Sequence, residues 1–126
     1  MTAPAKLVFV DTRIQRKILV LDDDATITDY LSIKLGASFG VLTSNDPEQG
    51  LALARSEQPD LVMCDVGMPG MDGYEFCRRM KADPETTRIP VIFLTATRTE
   101  AADERRGLDV GAVDYLNKTM DRGVLE

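Results

Sequence analysis

The sequence predicts an α/β fold built on a five-stranded parallel sheet, and three observations carry that reading. Short apolar runs alternate with segments of helical periodicity five times along 126 residues. The runs are bounded by Asp, Gly, Pro and Thr, as buried strands are when they break into turns. No internal repeat or low-complexity linker interrupts the alternation. Strands that alternate with helices run parallel and need helices on both faces of the sheet. A chain of this length buries one core.

Residues 1–16 read as a loosely held extension. Leu7-Val8-Phe9-Val10 could add an edge strand, but Pro4 and the polar stretch Asp11 to Arg16 argue for the extension. The domain proper is assigned to residues 17–126. Lys17-Ile18-Leu19-Val20-Leu21 is a buried strand stopped by Asp22-Asp23-Asp24. From Ala25 to Ala37, Ile27, Leu31 and Leu35 repeat at four-residue spacing with Tyr30 beside them, which is one face of a helix. Asp24 is expected to cap that helix, and Gly36 and Gly40 bracket its end. Phe39 to Thr43 reads as the second strand. Asp46-Pro47 opens a helix with Asp as cap and Pro at the first helical position, and Pro59 ends the segment.

Leu61 to Cys64 is the central strand, running into Asp65 and a loop rich in Gly and Pro. Tyr74, Phe76, Cys77 and Met80 mark a third helix that stops at Asp83-Pro84. Pro90 opens Val91-Ile92-Phe93-Leu94, a fourth strand ending at Thr95. Arg98 to Asp109 is helical but mostly polar, with Ala101, Ala102 and Leu108 to bury. Ala112 to Leu116 forms the fifth strand, followed by Asn117-Lys118. Only eight residues follow Lys118, too few for a full closing helix, so a truncated last helix of a domain excised from a longer protein is expected. The whole fits a flavodoxin-like, doubly wound sheet of strand order 2-1-3-4-5.

Composition narrows the function. A net charge of −6 argues against a nucleic-acid footprint, which is basic and clustered. No apolar run approaches the roughly 20 residues of a membrane span, and Met1 to Asp11 lacks the apolar core of a signal peptide. A cytoplasmic protein is expected. Two cysteines make no disulfide framework, and Cys64 and Cys77 read as small core residues. The absence of histidine excludes Ser-His-Asp and Cys-His nucleophiles and His-ligated zinc.

Chemistry in open α/β sheets sits at the carboxyl ends of the strands. Here those ends carry Asp22 and Asp23, Asp65, Thr95 and Lys118. Taken singly, each has an ordinary reading: an Asp as helix cap, Thr95 as a turn hydroxyl, Lys118 as a solvated lysine. Met68, Met71 and Met80 read as packing. The coincidence of Asp22 and Asp23, Asp65, Thr95 and Lys118 at four strand ends is the signal. Three clustered carboxylates repel one another unless a cation joins them, and an all-oxygen ligand set suits Mg2+. With a hydroxyl donor and an ammonium added, the set fits phosphoryl transfer to a carboxylate nucleophile, Asp65.

Four stretches carry a resemblance: Lys17 through Asp24, Asp65 through Gly73, Ile89 through Ala96, and Gly111 through Lys118. Over about Lys17 to Thr119 the chain resembles the receiver domains of two-component response regulators. The resemblance implies that Asp65 accepts a phosphoryl group from the phosphohistidine of a sensor kinase or from a phosphotransfer protein. It implies that Asp23, Asp65 and the carbonyl of Gly67 ligate Mg2+ with help from Asp22. Thr95 and Lys118 would hold the phosphoryl oxygens, and Tyr115 would act with Thr95 as the switch. The missing histidine fits, since the donor belongs to the partner. One position departs from the pattern: Thr119 stands where the family has Pro, usually joined by a cis bond that aims the lysine inward. A cis bond costs roughly 2.5–4 kcal/mol before a non-proline residue, against about 0.5–1 before Pro. Either that strain is tolerated, or the bond is trans and Lys118 is placed differently.

The expected function is therefore a phosphorylation-controlled switch rather than an enzyme, beyond self-phosphorylation from small donors and self-dephosphorylation. Its output would pass through a fused domain or a partner, and a homodimer through the fourth helix, fifth strand and closing helix is a further expectation. The stretch from Arg78 to Pro90 also resembles receivers fused to diguanylate cyclases, cyclic-di-GMP phosphodiesterases or hybrid kinases. Two rival readings stand beside this one. A pseudo-receiver would dock partners without phosphorylation; the intact acidic set argues against it, and Thr119 keeps it open. A haloacid-dehalogenase-like, Mg-dependent phosphatase would need an acid two positions after the nucleophile, where Gly67 stands. No Gly-rich phosphate loop points to a nucleotide enzyme.

Overall fold

A computed structural model describes residues 16–95, 111 and 114–117. Its strands are β1 (Lys17–Leu21), β2 (Gly40–Ser44), β3 (Leu61–Asp65), β4 (Val91–Thr95) and β5 (Asp114–Asn117). Its helices are α1 (Ala25–Gly36), α2 (Pro47–Glu57) and α3 (Gly73–Ala82). All strand pairs are parallel, and the order is β2-β1-β3-β4-β5, the doubly wound order expected from the alternation. The N-terminal extension, the helix expected from Arg98 to Asp109, Lys118 with its bond to Thr119, and the closing helix lie outside the described residues.

Two-residue periodicity divides the sheet's side chains between two cores. Leu19, Leu21, Val62, Cys64, Val91 and Phe93 face α2 and α3, where Ala54, Phe76, Cys77 and Met80 complete a fully buried layer. Ile18, Val20, Met63 and Leu94 form the other layer with Leu31, and Ile27 and Leu35 of α1 pack at its margin. Strands buried on both faces read as continuous apolar runs, which is why β1 and β4 were plain in the sequence. An edge-on contact between Tyr74 and Phe93, with ring centroids 5.0 Å apart, seats α3 against β4.

Helix starts follow the capping signals. The Asp24 carboxylate accepts from the Thr26 amide, Asp46 from the Gln49 amide and Asp72 from the Glu75 amide, each at 2.9 Å. Pro47 occupies the first turn of α2. Boundaries differ from expectation in several places: α1 ends at Gly36 rather than Ala37, β2 runs on to Ser44 rather than Thr43, and β5 spans Asp114–Asn117 rather than Ala112 to Leu116. β2 starts at Gly40 rather than Phe39, because the Phe39 amide still donates to Leu35 at the end of α1, while the Gly40 amide donates to Arg16 beside β1. β3 runs one residue further than Cys64, so Asp65 is itself the last strand residue, paired in register with Leu94.

Past α3, Asp83 anchors the turn to β4. One carboxylate oxygen accepts from the Glu85 amide at 2.9 Å and the other from Arg55 Nε at 3.0 Å. The amide first, and the guanidinium with it, hold the Asp83 carboxyl below the usual carboxylate range. Its stabilising contribution is therefore complete above the ordinary aspartate pKa and is lost as pH falls through the lowered value. In a carboxyl carbon-13 NMR titration, Asp83 is expected to protonate below a solvated aspartate, and Arg55→Gln to move it part of the way back.

Candidate acidic site at the carboxyl edge of the sheet

The site begins where β1 runs out. The Asp22 amide continues the ladder by donating to the Ser44 carbonyl at 3.1 Å, and its own carbonyl accepts from Asn45 Nδ2 at 2.8 Å. Asn45 Nδ2 also reaches Thr28 Oγ1 at 3.1 Å, so the end of β2 and the first turn of α1 together hold this peptide. The Asp22 side chain is fully buried and accepts from the Asp24 amide at 2.9 Å. Asp23 is exposed, and Asp24 serves as the α1 cap.

Asp65 arrives from the neighbouring strand, buried at the last position of β3. One carboxylate oxygen from each of Asp22, Asp23 and Asp65 lies within 4.8 Å of the other two. Two of the three carboxylates are buried, so water screens their mutual repulsion poorly. An all-oxygen cluster of this kind has the donor chemistry of a hard divalent cation.

The loop after Asp65 is built to hold its position. Met68 and Met71 are buried in the α2–α3 core, as expected for packing residues. Gly70 takes φ +84, a left-handed conformation that glycine reaches without strain. The Val66 amide donates to Leu94 at 3.1 Å, and the Gly73 amide returns to the Val66 carbonyl at 2.8 Å. Gly73 is also where the first turn of α3 meets the Asp65 peptide: a Cβ there would stand 2.3 Å from the Asp65 carbonyl oxygen. Gly67 lies exposed in the same loop, two positions beyond Asp65.

Thr95 ends β4 at this edge, one residue beyond the Leu94 that pairs with Asp65. It stands in register with Asn117, the last residue of β5, and Tyr115 stands in register with Phe93. The structure thus brings Asp22, Asp23 and Asp65 together and places Thr95 at the same edge, while Lys118 lies outside the described residues. Sequence reasoning missed Asn45 and Gly73. For Gly73 a signal existed, a glycine directly after a capping Asp at the start of an apolar helix; for Asn45 there was none.

Both cysteines are core residues. Burial first, and the neighbouring Asp65 charge next, push the Cys64 thiol well above its ordinary value. Burial pushes Cys77 up to about 11. Neither is a thiolate at neutral pH. The folded protein is therefore expected to leave both thiols unreacted with Ellman's reagent at pH 7, with two equivalents released only on denaturation.

A family model described as "Response regulator receiver domain" matches residues 18–126. The chain is 43% identical over 106 residues to the DNA-binding dual master transcriptional regulator RpaA of Synechocystis sp., covering 83% of this chain and 44% of that protein. It is 42% identical over 106 residues to the response regulator PleD of Caulobacter vibrioides, covering 83% of this chain and 23% of that protein. The chain thus spans less than half the length of these curated relatives. Among solved structures, the chemotaxis response regulator CheY4 of Vibrio cholerae superposes with a TM-score of 0.80 at 30% identity, covering 88% of this chain and 92% of that one. The response regulator DrrB of Thermotoga maritima gives 0.76 at 32% identity, covering 89% of this chain and 49% of that one. Among the described residues no helix is long and apolar enough to cross a membrane. With its fold and its sequence both matching one family, this chain belongs to the receiver domains of two-component response regulators, which are signalling switches rather than classical enzymes.

Proposed function

We propose that residues 17–126 act as one phosphoacceptor unit, with residues 1–16 as an extension, and that Asp65 takes a phosphoryl group from a kinase or phosphotransfer-protein phosphohistidine. The observation that carries this reading is the convergence of three carboxylate oxygens within 4.8 Å at the open edge of the sheet. An Asp65 oxygen forms the new P–O bond as the donor's P–N bond breaks, and the imidazole leaves with the electron pair and takes up a proton. Asp22, Asp23, Asp65 and the Gly67 carbonyl would hold Mg2+, which offsets negative charge on the phosphoryl oxygens when bound. The Thr95 hydroxyl donates to one phosphoryl oxygen and the Lys118 ammonium pairs with another. Buried Asp22 orders the turn through its bond to the Asp24 amide, which keeps Asp23 beside Asp65.

Phosphorylation then biases a two-state surface around β5, with Thr95 and Tyr115 as the moving pair. A fused or separate output domain in the cytoplasm reads that surface, either directly or through a homodimer formed on it. Intact mass after incubation with Mg2+ and acetyl phosphate tests the assignment. A phosphoryl adduct is expected on the wild type and none on Asp65→Asn. No adduct on the wild type, with beryllofluoride also failing to bind, would overturn it in favour of a pseudo-receiver that docks partners without phosphorylation.

A further inference from the structure

The end of the sheet opposite the acidic site holds a contact that the phosphorylation chemistry leaves unexplained. Lys81, in the last turn of α3, is half-buried, and its ammonium bonds carbonyls rather than a carboxylate: Ile89 at 2.7 Å and Thr87 at 3.2 Å. These carbonyls lie just ahead of β4, and the next one, from Pro90, accepts from Val62 of β3 at 3.0 Å. The stem of the same side chain lies under Gly111. A Cβ on Gly111 would stand 2.9 Å from Lys81 Cγ and 3.4 Å from Cδ and Cε. Gly111 takes φ +98 and stands three positions ahead of β5. One side chain therefore touches the chain just before β4 and just before β5.

We propose that Lys81 and Gly111 form a clamp that sets the register of β5 against β4, with Lys81 as a positioning residue for phosphoryl transfer. Its functional half rests on Asp65 being the phosphoacceptor. Among the described residues, β5 comprises four residues and pairs with β4 alone, so few ladder bonds specify its register. A two-residue slip keeps every side chain on its own face of the sheet while moving it roughly 6–7 Å along the strand. The observed register pairs Thr95 with Asn117 and Phe93 with Tyr115. It therefore decides where along the edge β5 ends, with Asn117 level with Thr95. Fixing the starts of both strands to one ammonium and one stem removes the slip. Glycine is required at 111 on two counts: the positive φ, and the absence of space above the lysine stem.

The lysine also has an ordinary role as a cation near a helix C-terminus, and the test separates the two. Lys81→Met keeps the stem and removes the ammonium, whereas Gly111→Ala keeps the ammonium and displaces the stem. Amide hydrogen exchange is followed at residues 114–117 of β5 and, for reference, in β1 and β3. Lys81→Met is expected to speed exchange in β5 by about tenfold or more, the effect of losing a charged hydrogen bond, and Gly111→Ala by a similar factor through the strained φ and the crowded stem, with β1 and β3 unchanged. Mg2+ affinity, which depends on β1, β3 and the Gly67 loop, is expected to stay at the wild-type value in calorimetric titration. Phosphorylation by acetyl phosphate is expected to slow by about tenfold, as misplacing a positioned group does. A uniform rise of exchange in all strands would reduce Lys81 to a stabilising cap and overturn the clamp. Loosened β5 amides with an unchanged phosphorylation rate would overturn the positioning role. If the wild type takes up no phosphoryl group, the Asp65 assignment fails, while the exchange result still decides whether the clamp exists.

Discussion

Asp65→Asn is expected to abolish phosphoryl uptake while making the metal-free protein more stable than the wild type. Asparagine keeps the shape of the side chain and removes one of three charges whose oxygens lie within 4.8 Å of each other. Asp22 and Asp65 are both buried, so their repulsion is felt at a lower effective dielectric than in water. Relief of roughly 1–3 kcal/mol is the expected scale for removing one like charge from such a cluster. Mg2+ should reverse the order. A ligand that binds only the folded state stabilises by mass action, and the wild type keeps the full carboxylate set. Thermal melts with EDTA and with saturating Mg2+ check this. The wild type should gain markedly on adding Mg2+, and Asp65→Asn much less. Equal gains in both proteins would show that Asp65 does not take part in holding the cation.

Gly73→Ala is the structural counterpart, and its cost is expected to be about 3 kcal/mol or more, at the upper end for overpacking. The new methyl would meet the Asp65 carbonyl oxygen at 2.3 Å and the Val66 Cα at 2.9 Å. Both obstacles are backbone, which cannot rotate aside as a side-chain tip can. Moving α3 outward would break the Gly73 amide's bond to Val66 and lift Tyr74, Phe76 and Met80 from the core. Moving the 65–66 peptide would instead displace the nucleophile. Either relaxation links the fold to the site, so urea denaturation should show a lower midpoint and Mg2+ titration a weakened affinity. A glycine retained for helix flexibility alone would behave otherwise: Gly73→Ala would then stabilise α3, by roughly 1 kcal/mol on helix propensity.

Much of this molecule was legible from neighbours along the chain. The apolar runs and the polar residues that stop them located β1, β3 and β4, and the caps Asp24 and Asp46 marked the starts of α1 and α2. Parallel alternation alone puts Asp22, Asp23 and Asp65 at one edge of the sheet. The boundary shift in β2 came from Phe39, whose apolar character suits a strand but whose amide is still engaged by the end of α1.

Several features depended on the packing of segments remote in sequence. That Asp22 is buried while Asp23 is exposed follows from Ser44 and Asn45, more than twenty positions away, closing over one peptide and not the next. The tight seat of Gly73 on the Asp65 peptide, and of Gly111 on the Lys81 stem, are distances between backbones and side chains that periodicity does not encode. Local sequence determines where strands and helices begin, because caps and hydrophobic repeats act over a few residues. Only the tertiary structure decides which carboxylate is desolvated and which glycine has no room for a methyl, because register and packing bring those atoms together.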